Sequence, residues 1–491
     1  MVLPRFARPD SRRSDPISMP GHLEAAAIQQ REGQIAPRLV AASRLRRSGR
    51  KEPDVVRILF FSSVYPHPKA PTCGTYNREL CRALSERHAV RVVAARCWWD
   101  ELRAGRRAKG PPHADSTGVR LAESRGTGQS TDPAVDHVPY FVPPKLLRRH
   151  YGWFMRVSVQ RRLVRVLQQF APDCVLSYWV HPDGEVGLWA ARRAGVPAVV
   201  IAGGSDVLIV TRTAARRRRV LKVLCESQAV VTVSEGLRQR VLALGVPPER
   251  VHTIYQGIDA SVFHPGSRRD ARRQLRLSDH YRVLIWVGRM VPVKGLDVLI
   301  DAFRLAAEGC GSLHLYLLGD GPLMSVLRRS VEERRLTDRV HFVGSVAHHD
   351  LPTWYRAADG TVLSSWSEGL PNVLRESLAC GTPFVATDVG SVSEIAAPAH
   401  SLLTPAGDVI LLADAMRRIT EPRYRRGAAS YRARTWADTA RDFSELLAAL
   451  SPVWNGRTET VDARSIDDRA ARADESGSLI AAATAAGGRN V

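Results

Sequence analysis

Short apolar runs separated by amphipathic stretches recur along the chain and predict alternating strands and helices. In the first half these runs cover residues 57–62, 89–95, 174–178 and 198–201, and in the second half 283–287, 313–318, 341–343 and 383–387. Runs of this length that end in Gly-containing turns are typical of parallel strands buried on both faces. The pattern therefore predicts α/β domains with doubly wound parallel sheets, which bind ligands at the carboxyl ends of their strands.

The length of the chain indicates more than one domain. Its 491 residues suit two domains with a tail at each end. Residues 1–55 mix Arg, Ser, Pro and Gly with little periodicity and are predicted to be a disordered basic extension. We expect one domain over 56–265, a polar hinge over 266–274, a second domain over 275–433, a helical segment over 434–454 and a disordered tail over 455–491.

The charge of the chain narrows the classes of partner. A formal net charge of +22 and a pI near 10.4 point to nucleic acid, anionic lipid or phosphate-bearing substrates. The seven cysteines are scattered and form no CxxC pair, which favours reduced thiols over disulfides or zinc ligands. No apolar run approaches the ~18 residues that a membrane span needs. We therefore expect a cytoplasmic protein that does not cross the bilayer.

Two basic stretches allow more than one interpretation. Residues 145–170 combine Trp, Phe and Leu with six Arg, and residues 212–222 contain four consecutive Arg. They are either ordinary domain helices with solvated Arg side chains or an element that lies on an anionic membrane surface. Nucleic acid could use the same charge, but no aromatic-rich motif or helix-turn-helix accompanies it, so we expect no nucleic-acid partner.

Residues 362–390 carry the most specific chemistry. A short strand ends at Leu363, a loop carries Glu368, and a helix is predicted over 371–379, with Pro371 at its first turn. The exposed N–H groups of a helix N-terminus suit a diphosphate. Glu368 could accept hydrogen bonds from sugar hydroxyls, and Glu376, two turns further on, lies within reach of a ribose. On spacing alone, however, two such Glu residues often occur by chance.

The segment Glu368-Gly-Leu-Pro-Asn-Val-Leu-Arg-Glu376 resembles the Glu-X7-Glu signature of retaining glycosyltransferases of family four, which have the GT-B fold. The resemblance covers about residues 56–450. It implies two Rossmann-like domains facing a cleft: the first binds the acceptor, and the second binds a nucleotide sugar. It also implies that segment 434–454 packs back across both domains.

The resemblance assigns roles to residues of the second domain. Arg289 and Lys294 match a Gly-Arg…Lys-Gly element whose cations neutralise the pyrophosphate. The implied catalytic residues are Glu368, Arg289 and Lys294. The implied donor-binding residues are Glu376, Gly288, Gly369, Leu370, Pro371, Asn372, Val373 and Gly319. The segment from Gly390 to Glu394 is similar to a Gly-Gly-X-X-Glu element, with Ser391 in place of the second Gly.

On the acceptor side the resemblance is weaker. It implies acceptor or phosphate-loop roles for Gly74, Thr75, His181, Asp183, Gly204, Ser205 and Asp206. Family members often carry His or Arg before the Gly-Ser-Asp element. This chain has Gly203 at that place.

The resemblance implies a retaining, metal-independent hexosyltransferase without a cofactor. Its donor would be a UDP- or GDP-sugar, and its acceptor a lipid-linked saccharide or polysaccharide in envelope glycan biosynthesis, as in the bacterial members that the chain resembles most. Such an enzyme would be cytoplasmic, with peripheral contact to the anionic inner face of the plasma membrane. The alternatives are a nucleotide-sugar epimerase, a phosphorylase whose pyridoxal-phosphate lysine is not identifiable, and a catalytically inactive basic protein that binds membrane or nucleic acid.

Overall fold

The structure is a computed structural model that describes residues 55–68, 70, 73–99, 132–144 and 146–454. For residues 451–454 it describes the backbone only. The predicted tails at 1–55 and 455–491 lie outside the described residues, apart from Val55. The described residues form two lobes, each built on a parallel sheet.

The first sheet has seven parallel strands in the order β3-β2-β1-β4-β5-β6-β7. The strands are β1 (Arg57–Ser62), β2 (Ala89–Cys97), β3 (Ala134–Tyr140), β4 (Cys174–Tyr178), β5 (Ala198–Ala202), β6 (Ala229–Thr232) and β7 (Val251–Thr253). Both faces of β1 are buried: Phe60 packs in one apolar cluster and Phe61 in another. This two-sided burial explains why the sequence shows continuous apolar runs rather than alternation.

Helices cover both faces of this sheet. They are α1 (Thr75–Ser85), α2 (Tyr151–Phe170), α3 (Asp183–Ala194), α4 (Ser205–Leu208), α5 (Ala214–Glu226) and α6 (Glu235–Ala243). The basic stretch expected to be helical from residue 145 begins its α-helix only at Tyr151, after a 3₁₀ turn over Arg148–His150. The four consecutive Arg residues lie on α5.

The second sheet has six parallel strands in the order β10-β9-β8-β11-β12-β13. They are β8 (Arg282–Val287), β9 (Leu313–Leu318), β10 (Val340–Gly344), β11 (Gly360–Leu363), β12 (Phe384–Thr387) and β13 (Ser401–Thr404). The accompanying helices are α7 (Arg268–Gln274), α8 (Leu296–Ala307), α9 (Met324–Glu333), α10 (Leu351–Ala357), α11 (Asn372–Ala379), α12 (Val409–Arg418), α13 (Pro422–Ala429) and α14 (Trp436–Trp454). Two Rossmann-like parallel-sheet lobes confirm the predicted fold class.

The last helix, α14, returns to the first lobe. Phe443 and Leu447 are buried in that lobe's larger apolar cluster, and His88 Nε2 lies 2.8 Å from Ser444 Oγ. The chain also crosses between the lobes near Ile258, whose N–H donates to the carbonyl of Arg434. The domain boundaries placed by sequence remain predictions.

The polar stretch over 266–274, which we expected to be a hinge, contains α7, and its role as a hinge remains a prediction. Ser267 caps this helix, with its Oγ accepting from the N–H of Asp270. Arg272, only 1% exposed, donates to Asp359 and to three backbone carbonyls. A polar sequence can therefore pack tightly when its buried charge finds partners.

The structure adds two findings on chemistry and membrane insertion. All seven cysteines lie among the described residues and form no disulfide. Within the ranges that the structure describes, no helix is both long and apolar enough to span a bilayer.

Candidate active site between the lobes

The centre of the site is the connection between β11 and α11. After Leu363 the chain passes through the buried Ser364 and Ser365, reaches Glu368 and enters α11 beyond Pro371. Proline suits this place because the first N–H of a helix has no intrahelical partner. The predicted strand, acidic loop, helix and strand are all present, with α11 beginning at Asn372.

Glu368 is held by two donors. Lys294 Nζ donates to Glu368 Oε1 at 2.6 Å, and the hydroxyl of Ser365 donates to the same oxygen. Lys294 ends a 3₁₀ turn after β8, and its carbonyl accepts from Ser364 Oγ at 3.0 Å. The carboxylate predicted to orient a sugar and a cation predicted to neutralise a diphosphate therefore form one partly buried ion pair.

Glu376 is held by residues that the sequence did not indicate. The Tyr355 hydroxyl donates to Glu376 Oε2 at 3.0 Å, and His348 Nε2 lies 3.1 Å from Oε1. Burial alone would lower the pKa of His348, but its hydrogen bond to Glu376 and the charge of that carboxylate outweigh burial and raise the pKa. These partners are 21 and 28 residues away along the chain, and no sequence spacing connects them to Glu376.

Two glycines expected at the donor site are required by backbone packing. Gly288 and Gly319 have φ of 159° and 136°, in a region that favours glycine. A Cβ on Gly319 would overlap the carbonyl oxygen of Gly288, and the N–H of Gly288 donates to the carbonyl of Leu318 at 3.0 Å. Arg289, the next residue after Gly288, is exposed.

On the first lobe, two predicted glycines sit at helix starts. Gly74 has φ 66° and caps α1, whose first residue is Thr75; a Cβ there would overlap the carbonyl of Val64. Gly204 has φ 124° and caps α4, which begins at Ser205. A Cβ on Gly204 would lie 3.5 Å from the Cα of Gly369. The loops after β5 and β11 are therefore in close contact across the two lobes.

Two predicted acceptor-side carboxylates are buried beneath their loops. Asp206 accepts from the N–H groups of Val180, Gly203 and Gly204 at 2.8 to 3.2 Å. Asp183 accepts from the N–H and Oγ of Ser63 at 2.7 and 2.8 Å. Burial raises the pKa of both carboxyls, to about 7 for Asp183. These two side chains fix the loops and do not face the cleft.

The other two acceptor-side findings concern His181 and Gly203. His181, also buried, lies 3.0 Å from Glu185 through Nδ1. At Gly203, where related chains often have His or Arg, a Cβ would lie 2.7 Å from the hydroxyl oxygen of Tyr178. The Tyr178 side chain therefore takes the space that a larger residue would need.

Further contacts join the lobes beside the site. Asn372 Nδ2 donates to Gln256 Oε1 at 3.3 Å, and Arg375 donates to the carbonyl of Gln256. Glu394 accepts from the N–H groups of Glu235 and Gly236, at 2.9 and 2.7 Å, at the start of α6. The Gly-Gly-X-X-Glu resemblance had singled out Glu394, but nothing in the sequence indicated its partner.

Among the residues that the structure describes, no group of three or more His, Cys, Asp or Glu side chains is arranged to hold an ion. The expectation of a metal-independent, cofactor-free site remains a prediction.

Comparison with known proteins decides the family. The model described as Glycosyltransferase Family 4 matches residues 73–262, and that described as Glycosyl transferases group 1 matches residues 281–421. The D-inositol 3-phosphate glycosyltransferase of Thermomonospora curvata is 31% identical over 315 residues, which cover 58% of this chain and 72% of that protein. The chain belongs to the glycosyltransferases.

Other similarities to this glycosyltransferase are more partial. A protein of Mycobacterium bovis, also called D-inositol 3-phosphate glycosyltransferase, is 34% identical over 233 residues, covering 44% of this chain and 46% of the relative. This chain therefore spans a little under half of that relative's length.

Solved structures agree in fold. HepE of Anabaena in complex with UDP has a TM-score of 0.61 at 19% identity, covering 80% of this chain and all of that one. Sucrose-phosphate synthase of Thermosynechococcus elongatus has a TM-score of 0.62 at 20% identity, covering 81% and all of that chain. These similarities place this glycosyltransferase in the GT-B fold.

Proposed function

We propose that this glycosyltransferase is a retaining, metal-independent hexosyltransferase that uses a nucleotide diphosphate sugar. The observation that carries the proposal is the contact between Lys294 and Glu368 beside the start of α11. A cation, a carboxylate and helix N–H groups meet there, which is the chemistry needed to bind a diphosphate and a sugar together.

In the proposed reaction the bond from the anomeric carbon to the diphosphate oxygen breaks, and a bond to the acceptor hydroxyl oxygen forms on the same face. The departing phosphate oxygen receives the hydroxyl proton. Negative charge grows on the diphosphate, where Arg289, Lys294 and the N–H groups at the start of α11 stabilise it. Glu368 orients the hexose, and Glu376, fixed by Tyr355 and His348, binds the ribose.

The nucleotide of the donor is proposed from similarity. HepE has been solved with UDP and with UDP-glucose, which supports a UDP-sugar over a GDP-sugar. An epimerase on the same scaffold would bind the donor without transferring its sugar. A catalytically inactive binding protein would neither bind the donor nor transfer its sugar.

The proposed acceptor is a lipid-linked saccharide or polysaccharide of the envelope, reached at the cytoplasmic face of the membrane. The supporting observation is an exposed patch around the start of α2, here called the α2 patch. Its apolar members Leu146, Leu147 and Trp153 are 67%, 56% and 50% exposed, and Arg148 and Arg149 lie between them. Apolar side chains interspersed with cations suit the surface of an anionic bilayer.

A second candidate acceptor comes from the relatives. Two proteins that match this chain at 31% and 34% identity are named for D-inositol 3-phosphate. A phosphorylated cyclitol is therefore the alternative acceptor, and it would need no membrane surface.

A donor panel tests the transferase. The full chain is incubated with UDP- and GDP-sugars in EDTA, and released nucleotide is measured by mass spectrometry. Glu376→Gln should abolish release while keeping a hydrogen-bond acceptor for Tyr355, whereas Glu308→Gln, at the exposed residue that follows α8, should not change it. If no donor is bound or turned over, the transferase proposal fails and a binding role gains support.

A vesicle assay tests the α2 patch. Substituting Gln for Arg148, Arg149 and Arg161 should weaken sedimentation with phosphatidylglycerol vesicles, and Arg193→Gln on α3 should not. Arg162 is kept because it pairs with the buried Asp136. Unchanged vesicle binding in the triple variant would remove the membrane role.

A further inference from the structure

A cavity of about 430 Å³ lies between the lobes on one flank of the Glu368 loop. We call it the flank cavity. Its walls come from α4, the start of α6, the β11 loop and the β12 loop, through Leu208, Ser234, Gly236, Leu237, Arg240, Trp366, Ser367, Glu368, Gly369, Val389, Gly390 and Ser391. Its volume falls within the range of about 300 to 1,000 Å³ that small-molecule sites occupy.

The sheet order separates this cavity from the nucleotide. Three of the expected donor-site residues, Arg289, Lys294 and Gly319, follow β8 and β9, and those strands lie on one side of β11 in the order β9-β8-β11-β12. The flank cavity is lined from β11 and β12, on the other side. Glu368 and Gly369 belong to both regions. A ligand in the flank cavity therefore lies directly next to the expected position of the donor sugar.

Residues of both lobes close one side of the cavity. Ser391 Oγ lies 2.8 Å from Ser234 Oγ, and Glu394 occupies the N–H groups at the start of α6. Because Glu394 already satisfies that helix terminus, the terminus does not attract a second anion. Arg240 contributes a positive charge to the lining of the cavity. It lies one turn beyond Gly236, on the same face of α6.

The guanidinium group of Arg240 is available to bind an anion. It is exposed, and the structure gives it no ion pair with any described residue, while its neighbour Arg238 pairs with Glu235. An exposed arginine is usually solvated and without a role. Arg240 differs because it lines a formed cavity that also contains a carboxylate-bearing residue and three serines.

Trp366 supplies an apolar surface next to Glu368. Its indole packs so closely on Gly407 that a Cβ there would lie 2.8 Å from the ring, yet the residue as a whole is 47% exposed. Its main-chain N–H donates to the carbonyl of Val293 at 2.8 Å, which fixes its position beside the Lys294 loop. A fixed, half-exposed indole beside hydroxyls and a carboxylate suits the apolar face of a sugar or cyclitol ring.

We propose that the flank cavity binds the acceptor, and that this acceptor is a sugar or cyclitol carrying a phosphate or carboxylate. Its ring lies against Trp366, its anionic group meets Arg240, and its reacting hydroxyl points past Gly369 toward the donor sugar. This inference rests on the proposed transferase function, favours the second candidate acceptor over the lipid-linked one, and names the residues that would select it. Arg240 and Trp366 determine specificity and take no part in bond breaking.

Calorimetry with the full chain and saturating UDP tests the proposal directly. Glucose 6-phosphate serves as the anionic probe, glucose as the neutral probe and inorganic phosphate as the bare anion. Arg240→Gln should weaken glucose 6-phosphate binding by about tenfold, the scale of one charge-assisted contact, and leave glucose binding unchanged. Trp366→Ala should weaken both sugars, and Trp366→Phe should restore most of the loss.

The matched control is Arg193→Gln on α3, which should change none of these affinities. The proposal is overturned if wild type fails to bind glucose 6-phosphate at millimolar concentration, if it binds inorganic phosphate equally well, or if the Arg240 and Arg193 variants behave alike. Release of nucleotide from the donor without acceptor is measured on the same proteins. If the wild-type protein releases no nucleotide, that result counts against the transferase function rather than against the acceptor site.

Discussion

At the scale of single residues, the most deeply buried ion pair of the second lobe lies away from the site, where Arg272 and Asp359 meet at 2.9 Å. Asp359 also accepts from the N–H of Val283 at 2.7 Å. Removing one partner of a buried pair leaves the other charge without compensation. Asp359→Ala should therefore lower the free energy of unfolding by about 3–5 kcal/mol, measured by urea denaturation.

A surface ion pair provides the control for this substitution. Arg304 and Glu308 also meet at 2.8 Å, but both side chains are roughly half exposed. Glu308→Ala should cost about 0.5 kcal/mol or less. Equal losses in the two variants would show that burial of Arg272 does not determine the cost.

Single residues also show where sequence reasoning stops. Glu368 and Glu376 could be found because a helix start, its proline and its carboxylates are adjacent in the chain. Tyr355 and His348 could not, because they come from other elements and meet Glu376 only through packing. The buried Asp183 shows the same limit: its residue type suits a ligand, and only its contacts with Ser63 reveal a structural role.

At the scale of elements, β9 and β10 carry a histidine pair that makes stability depend on pH. His314 Nδ1 lies 3.1 Å from His341 Nε2 on neighbouring parallel strands. Tyr281 stacks on His314 with ring centroids 3.9 Å apart, and Tyr316 stacks on His341 at 4.5 Å. Burial of each ring disfavours its protonated form.

The charges around this pair set the sign of the effect. Burial lowers the pKa of His314, and the nearby His341 and Arg339 lower it further. Burial also lowers the pKa of His341, against an opposing effect of Asp338. The unfolded chain therefore takes up protons first, near the ordinary value of 6.5. The pair's contribution is complete above that pH and is lost as the pH falls below it.

Urea denaturation between pH 7.5 and 5.0 measures this contribution. Each histidine that stays neutral in the fold adds up to about 1.4 kcal/mol per pH unit to the slope. His341→Gln should flatten the slope relative to wild type, because glutamine does not titrate. His280→Gln, at an exposed position before β8, should leave it unchanged. A slope in His341→Gln identical to that of wild type would contradict the assignment.

The elements themselves were largely predictable, and the exceptions have a physical cause. Each of the eight apolar runs matches a strand to within one or two residues, since burial on both faces leaves a continuous signal. The strands β3, β7 and β13 were not among these runs. The helix α7 was not predicted because its sequence is rich in Arg, and composition alone did not reveal that Arg272 would be buried against Asp359.

At the scale of the whole molecule, Glu394 couples the two lobes. It belongs to the second lobe, yet it accepts from two N–H groups at the start of α6 and from the hydroxyl of Tyr255 at 2.8 Å. Burial and this carboxylate both raise the pKa of Tyr255. Glu394 is exposed, and an exposed carboxylate at a helix N-terminus contributes about 0.3–1 kcal/mol. Its loss should shift the balance between joined and separated lobes by roughly two- to fivefold.

Glu394→Ala should therefore raise the KM for the donor, because separating the lobes would part the loops that carry Gly204 and Gly369, which are in contact in the structure. Amide hydrogen exchange at Glu235 and Gly236 should become faster, since those N–H groups lose their acceptor. Tyr255→Phe should have a smaller effect on both measurements because it removes a single hydrogen bond, and Glu308→Ala should have none. If Glu394→Ala exchanged like wild type at α6, the lobes would be held by the Gln256 contacts of Asn372 and Arg375, and the donor KM would respond to those residues instead.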